Sequence, residues 1–314
     1  WLRYNYKDIA RFMKKLQGLL LLTLFVTPLI YQPVFYQVLK LRTFDHFVQI
    51  PKESGHFAIL NITEEDIDRE GGYPLPRKRL AQINNFLLAA GATGIGWVIG
   101  FPHADRLGGD EAFAESLSHA STVLPLFENA NGKYPKTVGT VIRGEEVGGY
   151  AAKGTIENID TAPVEVDNLI RRIPLLYRTP DGWLASFGTQ VLKVLADAKT
   201  YIIKTNENGI EEITVQGIPP IKVDSLGRKW ISWIDTRETT LQEMDVEGRF
   251  VFVGVTAVGV MPQVATPIGL LEPHYIQAAL AESMLIENSP HIPDYALAVE
   301  VGIYVVSVSF MWAL

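Results

Sequence analysis

The chain has 314 residues, a formal net charge of −7 and no cysteine. The acidic balance excludes nucleic acid as the main partner, and the missing thiols exclude a disulfide framework, a catalytic cysteine or a thiolate metal site.

The chain opens on Arg3, Lys7, Arg11, Lys14 and Lys15, followed by a run free of ionisable charge from Leu16 to Leu39. As one helix this run reaches about 36 Å, enough to cross about 30 Å of hydrocarbon with some tilt. A cleaved signal peptide competes, but its apolar core spans only about 7–15 residues. The stretch Tyr31-Gln32-Pro33-Val34-Phe35-Tyr36 also stands where a small-residue cleavage site would be. The expected organisation is a basic cytoplasmic segment over 1–15, a transmembrane helix over 16–39 and a juxtamembrane helix over 40–50. A large domain over 51–292 then faces outward, because basic flanks stay cytoplasmic. Residues 293–314 are expected to begin a second span, which from Tyr295 to Leu314 is apolar except for Glu300, expected at the membrane interface. The lipid bilayer is thus the first expected partner. Pro28 and Pro33 predict a kink or local repacking in the first span.

Within the domain, His56–Ile62 reads as a buried strand, and Thr63 with Asp66 as a capping box. Pro76 starts a helix carrying Leu80, Ile83, Leu87 and Ala90 on one face, and Gly91 stops it. Thr93–Phe101 is the next strand, with Gly94 and Gly96 allowing close approach of neighbours. Asp110 is expected to cap a helix bearing Phe113 and Leu117, before a strand at Ser121–Phe127. Residues Glu128–Asp160 read as an irregular insertion. Leu169–Tyr177 predicts one strand that turns at Pro180-Asp181-Gly182 into a helix with Leu184, Gly188, Val191 and Leu195. A hairpin joins Thr200–Lys204 to Ile210–Val215, strands follow at Trp230–Ile234 and Phe250–Val255, and Pro273 starts a last helix with Ile276, Leu280 and Met284. Strands alternating with helices predict an α/β fold with a mixed, partly parallel sheet flanked by helices and bracketed by transmembrane helices.

The residues carry no complete catalytic or metal signature. Gly254-Val255-Thr256-Ala257-Val258-Gly259 follows a strand with phosphate-loop spacing, but Val260-Met261 replaces the required Lys-Ser/Thr pair. Gly91 to Gly96 leads into a strand, whereas a dinucleotide loop opens a helix. The six histidines show no metal-binding spacing. His103, Asp105 and Asp110 form the best oxygen and nitrogen cluster, which also reads as a polar loop with a helix cap. Glu145-Glu146 reads as a solvated turn. Arg171 and Arg172 point to opposite faces of a strand. One is expected on a carboxylate such as Asp160 or Asp167, the other in solvent or on an anionic ligand. Arg77 is equally open.

Taken in order, several segments resemble the CHASE superfamily of extracellular sensor domains, in its second type. They are Leu41-Arg42-Thr43-Phe44-Asp45, Tyr73-Pro74-Leu75-Pro76-Arg77, Gly91-Ala92, and Asp167 with Ile170-Arg171-Arg172-Ile173-Pro174. Val253-Gly254-Val255-Thr256-Ala257, Thr266-Pro267 and His274 complete the set, which covers nearly all of Leu41 to Glu287. The chain departs from the family where Trp97-Val98-Ile99-Gly100-Phe101 carries no acid, and where Asn168 replaces the glycine before the paired arginines. The resemblance implies a periplasmic sensor at a bacterial inner membrane, joined to a cytoplasmic output that lies past Leu314. That output would be a class III adenylate or guanylate cyclase using Mg and ATP or GTP, or a histidine or serine/threonine kinase. A homodimer and a periplasmic ligand or protein are the implied partners. A non-enzymatic assembly subunit and a tethered hydrolase are the rival readings. The candidate ligand contacts are Arg77, Asp105, Arg171, Arg172, Thr256, Thr266 and His274; the residues themselves call for no cofactor.

Overall fold

The computed structural model describes residues 6–101, 104–126, 151–155, 165–179, 182–207, 209–286, 289–291 and 295–313. It divides into two units, one formed by Trp1–Val48 with Ile292–Leu314 and the other by Gln49–His291.

The first unit begins with helices α1 (Tyr6–Tyr31) and α2 (Val34–Phe47). The single helix expected over 16–39 is thus two helices, divided at Pro33, one of the two prolines expected to disturb it. Pro33 has no N–H to continue the ladder and its ring excludes helical backbone before it, so Gln32 leaves the helix at φ 41°. The uncharged part of α1, residues 16–31, then reaches only about 24 Å. Among the described residues no helix is long and apolar enough to cross a membrane.

The second unit is built on a parallel sheet. In chain order its elements are β1 (Phe57–Ile62), α3 (Glu64–Arg69), α4 (Arg77–Ala89), β2 (Gly94–Trp97), α5 (Asp110–Ser118), β3 (Thr122–Leu126) and β4 (Ala152–Thr155). Next come β5 (Arg172–Pro174), β6 (Leu176–Thr179), β7 (Gly182–Ala185), α6 (Phe187–Leu195), β8 (Tyr201–Asn206), β9 (Gly209–Val215), β10 (Ile221–Lys222) and β11 (Arg228–Trp230). The unit closes with β12 (Glu238–Thr239), β13 (Phe250–Val255), β14 (Val264–Thr266), β15 (Gly269–Leu271) and α7 (Pro273–Leu285). Six strands pair in the order β12-β1-β13-β2-β3-β4, parallel throughout. Antiparallel pairing is confined to the small sheets and hairpins beside it.

Both faces of this sheet are buried, which is why β1 and β13 read as continuous apolar runs. Alternation along each strand divides the core. Ala58, Leu60, Ile62, Val251, Val253 and Val255 pack with Leu80, Ile83 and Leu87 of α4 and with Phe113 and Leu117 of α5. Phe57, Ile59, Phe250 and Phe252 face the other way, against Phe187 and Val191 of α6 and Ile276 and Leu280 of α7. Each such side chain contributes about 1.5–3 kcal/mol on burial. Gly94 and Gly96 act as expected: a Cβ on Gly94 would lie 2.6 Å from the Phe250 ring, and one on Gly96 2.9 Å from Phe187. Trp97 crosses layers by donating its indole N–H to Asn84 Oδ1 at 3.1 Å, while Asn84 donates to the Ser116 carbonyl at 2.9 Å.

The local signals mostly hold. Thr63 and Asp66 form the capping box, α4 starts after Pro76, and Gly91 follows its end at φ 89°. Four expectations are corrected. Residues 152–155 are a sheet strand rather than irregular insertion; the rest of 128–160 lies almost wholly outside the described residues. The strand expected over 169–177 divides at Leu175, whose N–H reaches the Gly227 carbonyl while its own carbonyl accepts from Ser186, so the chain changes partners there. Leu184 belongs to β7, and α6 begins only after Ser186, whose hydroxyl accepts from Thr189 N–H. Residues 231–234 extend past β11 without pairing as a strand.

The last helix, α8 (Ala296–Ala313), belongs to the first unit. Large apolar side chains are exposed along it, including Leu297, Val301, Ile303, Val306 and Phe310. Glu300, expected at an interface, forms an ion pair with Lys40 of α2.

Candidate functional site

Strand β1 leaves the sheet towards α4 on one face, whereas its neighbour β13 leads to α7 on the other. Connections that diverge from adjacent parallel strands open a crevice beyond their carboxyl ends, the usual ligand position in open α/β sheets. A cleft of about 940 Å³ lies there. Its walls come from the ends of β1 (Ile62) and β13 (Val255), from Ile99, Gly100 and Phe101 after β2, and from Tyr73 to Arg77 with Leu80 at the start of α4. Residues 104–107 complete the rim. The size suits a small organic molecule.

Of the sequence candidates, Arg77 and Asp105 meet at this cleft. Asp105 Oδ2 accepts from Arg77 N–H at 3.0 Å and Gly109 N–H at 3.1 Å, and Oδ1 accepts from Leu107 N–H at 3.0 Å. Burial alone would raise this carboxyl. The backbone donors and the Arg77 charge outweigh it and hold Asp105 below the usual carboxylate range. Its charge sits at the start of α4, where the helix dipole favours an anion. The Arg77 guanidinium, only 5% exposed, pairs with Asp110 and lies 5.3 Å from the centre of the Phe101 ring. Burial pulls it down from its ordinary value, against the charge of Asp105. Asp110 is thus not the cap of α5. Gly109 holds that position, and Asp110 accepts from Asp105 N–H at 2.9 Å. His103, the third member of the expected cluster, lies outside the described residues, as do Glu145, Glu146 and Asp160. Among the described residues no group of three metal-binding side chains occurs.

The other candidates are not among the residues lining this cleft and make contacts within the domain. Arg171 forms a two-pronged pair with Asp167, at 2.9 and 2.8 Å, and is 1% exposed. Arg172, expected in solvent or on a ligand if its neighbour took the carboxylate, instead meets Glu165 at 2.6 Å and Asp224 at 3.1 Å, over the Trp230 ring. Thr256 continues the β1–β13 ladder through its N–H to the Ile62 carbonyl at 3.0 Å. Thr266 closes the β14–β15 hairpin by donating to the Gly269 carbonyl at 2.7 Å.

His274 is fully buried at the start of α7, its Nε2 2.9 Å from Asn61 Oδ1. Asn61 turns its amide N–H groups to Glu238 and Tyr275, both at 2.7 Å, so the histidine must be the donor. Burial lowers its pKa to about 3, so the ring stays neutral. The sequence reading missed the apolar wall of Tyr73, Phe101 and Leu107. It follows strand ends, but nothing local says that these ends converge.

A second group missed by that reading is Glu282 of α7, fully buried with Oε2 accepting from Ser54 N–H at 2.8 Å. Oε1 has no hydrogen-bond partner among the described residues. Burial raises this carboxyl, with Glu53 adding and Ser54 and His56 opposing. A carboxyl raised on folding favours the folded state below the ordinary range near 4.5 and loses that contribution as pH rises through its folded value. Glu282→Gln should therefore stabilise the chain at pH 7.5 by about 1 kcal/mol. It should also remove the gain in stability that the parent shows on mild acidification, measured by urea unfolding across pH. An unchanged pH profile would rule this role out.

A model of the CHASE2 domain family matches residues 19–314. No match was found among curated proteins or among solved structures. The chain belongs to the CHASE2 family, whose domains are extracellular sensors of signalling receptors.

Proposed function

We propose that this CHASE2 chain is the periplasmic sensor portion of a bacterial inner-membrane receptor. In this reading a small ligand enters the carboxyl-edge cleft and the response passes to the helical unit. The cleft carries the reading, because it is a built, mostly apolar cavity at the carboxyl edge of the sheet.

The helices support a membrane setting. Exposed leucine, isoleucine, valine and phenylalanine side chains along α1 and α8 suit lipid better than water, and the Lys40–Glu300 pair would neutralise both charges there. In this setting the basic residues before Leu16 would favour the cytoplasmic side for the amino-terminal segment. A homodimer whose α2 helices change packing on ligand binding would regulate a cytoplasmic output, with a class III nucleotide cyclase favoured over a kinase. Mg and ATP or GTP would belong to that output.

The lack of cysteine gives a direct test. Leu39→Cys, an exposed position on α2, is introduced and disulfide formation between copies is followed in isolated membranes. Ala104→Trp, which fills the mouth of the cleft from an exposed position, should change the cross-linking rate at least about 3-fold, a modest coupling of about 0.7 kcal/mol. A chain that washes off membranes in carbonate, or a cross-linking rate indifferent to Ala104→Trp, would sink this reading.

A further inference from the structure

The make-up of the cleft narrows what it can hold. Its floor is Ile62, Leu75, Leu80, Ile99, Phe101 and Val255, all buried. Tyr73 and Leu107 stand on its rim, 42% and 67% exposed, as apolar surface that a bound molecule would cover. Sugars require several donors and acceptors around the ring, and this wall offers few. An amino-acid zwitterion would need a carboxylate for its ammonium group. Asp105 is already engaged by backbone N–H groups and the start of α4, and Asp110 is engaged by Arg77. Arg106 differs from these groups. It lines the rim, is exposed, and forms no ion pair with another described residue.

We infer that the cleft takes a predominantly apolar small molecule, aromatic or branched acyl, bearing one anionic group that Arg106 meets at the rim. This rests on the proposed role of the cleft as the sensory site and adds the ligand's chemical class. The apolar body would displace water from the floor. The guanidinium would fix orientation and discriminate against neutral analogues, a charge-assisted contact at a partly exposed position.

The test uses the full chain in lipid nanodiscs, with empty nanodiscs subtracted, and isothermal titration of 2-naphthoate, 2-naphthamide and D-glucose. Naphthoate should bind about 10-fold more tightly than the neutral amide, with glucose silent. Arg106→Gln should bring the two naphthyl probes level without changing the amide, and Ala104→Trp should weaken both. Equal binding of acid and amide by the parent chain overturns the anionic requirement. An unaltered preference in Arg106→Gln overturns the role of Arg106. Glucose binding, or no binding of either naphthyl probe, overturns the ligand class. None of these results alters the cross-linking response to Ala104→Trp, so a wrong ligand class and a wrong sensory site give different outcomes.

Discussion

Gly254→Ala is expected to destabilise the domain by about 3 kcal/mol, at the upper end of what core overpacking costs. A Cβ on Gly254 would lie 2.0 Å from Nδ1 and 2.1 Å from Cγ of His274. Neither partner has room to yield. Gly254 sits inside the fully buried strand β13. The His274 ring is held by Asn61 and buried at the first turn of α7. Relief requires moving α7 off the sheet or breaking the His274–Asn61–Glu238 chain, and the latter would strand buried polar groups. The urea midpoint, followed through tryptophan fluorescence to which the buried Trp97, Trp230 and Trp233 contribute, should fall accordingly. Adding His274→Ala to Gly254→Ala should recover about 2 kcal/mol relative to the sum of the single changes, since the two groups compete for one space. Additive single effects would show that the glycine is not there to admit the imidazole.

This contact also shows how far the sequence could be read. Gly254 and His274 both stood out, one as a loop glycine with phosphate-type spacing and the other as a candidate ligand contact. Local pattern reveals residue type but not partner, and the partner decides the role. Signals complete within a few residues carried over well: the Thr63–Asp66 box, the stop of α4 at Gly91, the apolar runs of β1 and β13. The sheet order did not, because β13 inserts between β1 and β2 from nearly the opposite end of the chain. Short strands such as β4 and β12 have no apolar period to reveal them and owe their existence to a neighbouring edge. The cleft divides in the same way. Arg77 and Asp105 were visible as charges beside breaks in the chain. Tyr73, Phe101 and Leu107 became a wall only when three strand ends met. In the first helical segment Pro28 and Pro33 both stood out as points of kinking, but only the backbone shows that the break falls at Gln32–Pro33.

Arg171→Met should be among the most damaging single changes, lowering unfolding free energy by about 3–5 kcal/mol. The guanidinium and the Asp167 carboxylate are both nearly inaccessible, at 1% and 5% side-chain exposure, and face each other through two parallel hydrogen bonds. Removing the cation leaves Asp167 charged with its main counter-ion gone, in a setting where water cannot replace it. The damage would spread, because the backbone around the arginine joins separate pieces. Ile231 donates to the Arg171 carbonyl and Ile170 donates to Ala265, so β5, β11 and β14 meet there. Arg171→Lys should recover only part of the loss, since an ammonium cannot satisfy both carboxylate oxygens in the fixed fork. Replacing both partners, as Arg171→Met with Asp167→Leu, should restore at least half of it, because no charge is then left buried alone. The comparison separates a structural pair from a ligand contact. A ligand-binding arginine, once lost, would leave the urea midpoint in place and abolish only the response to an occupied cleft. An unfolding free energy within about 0.5 kcal/mol of the parent would therefore return Arg171 to the list of ligand contacts, whereas a large loss repaired by the paired apolar variant assigns it to the fold.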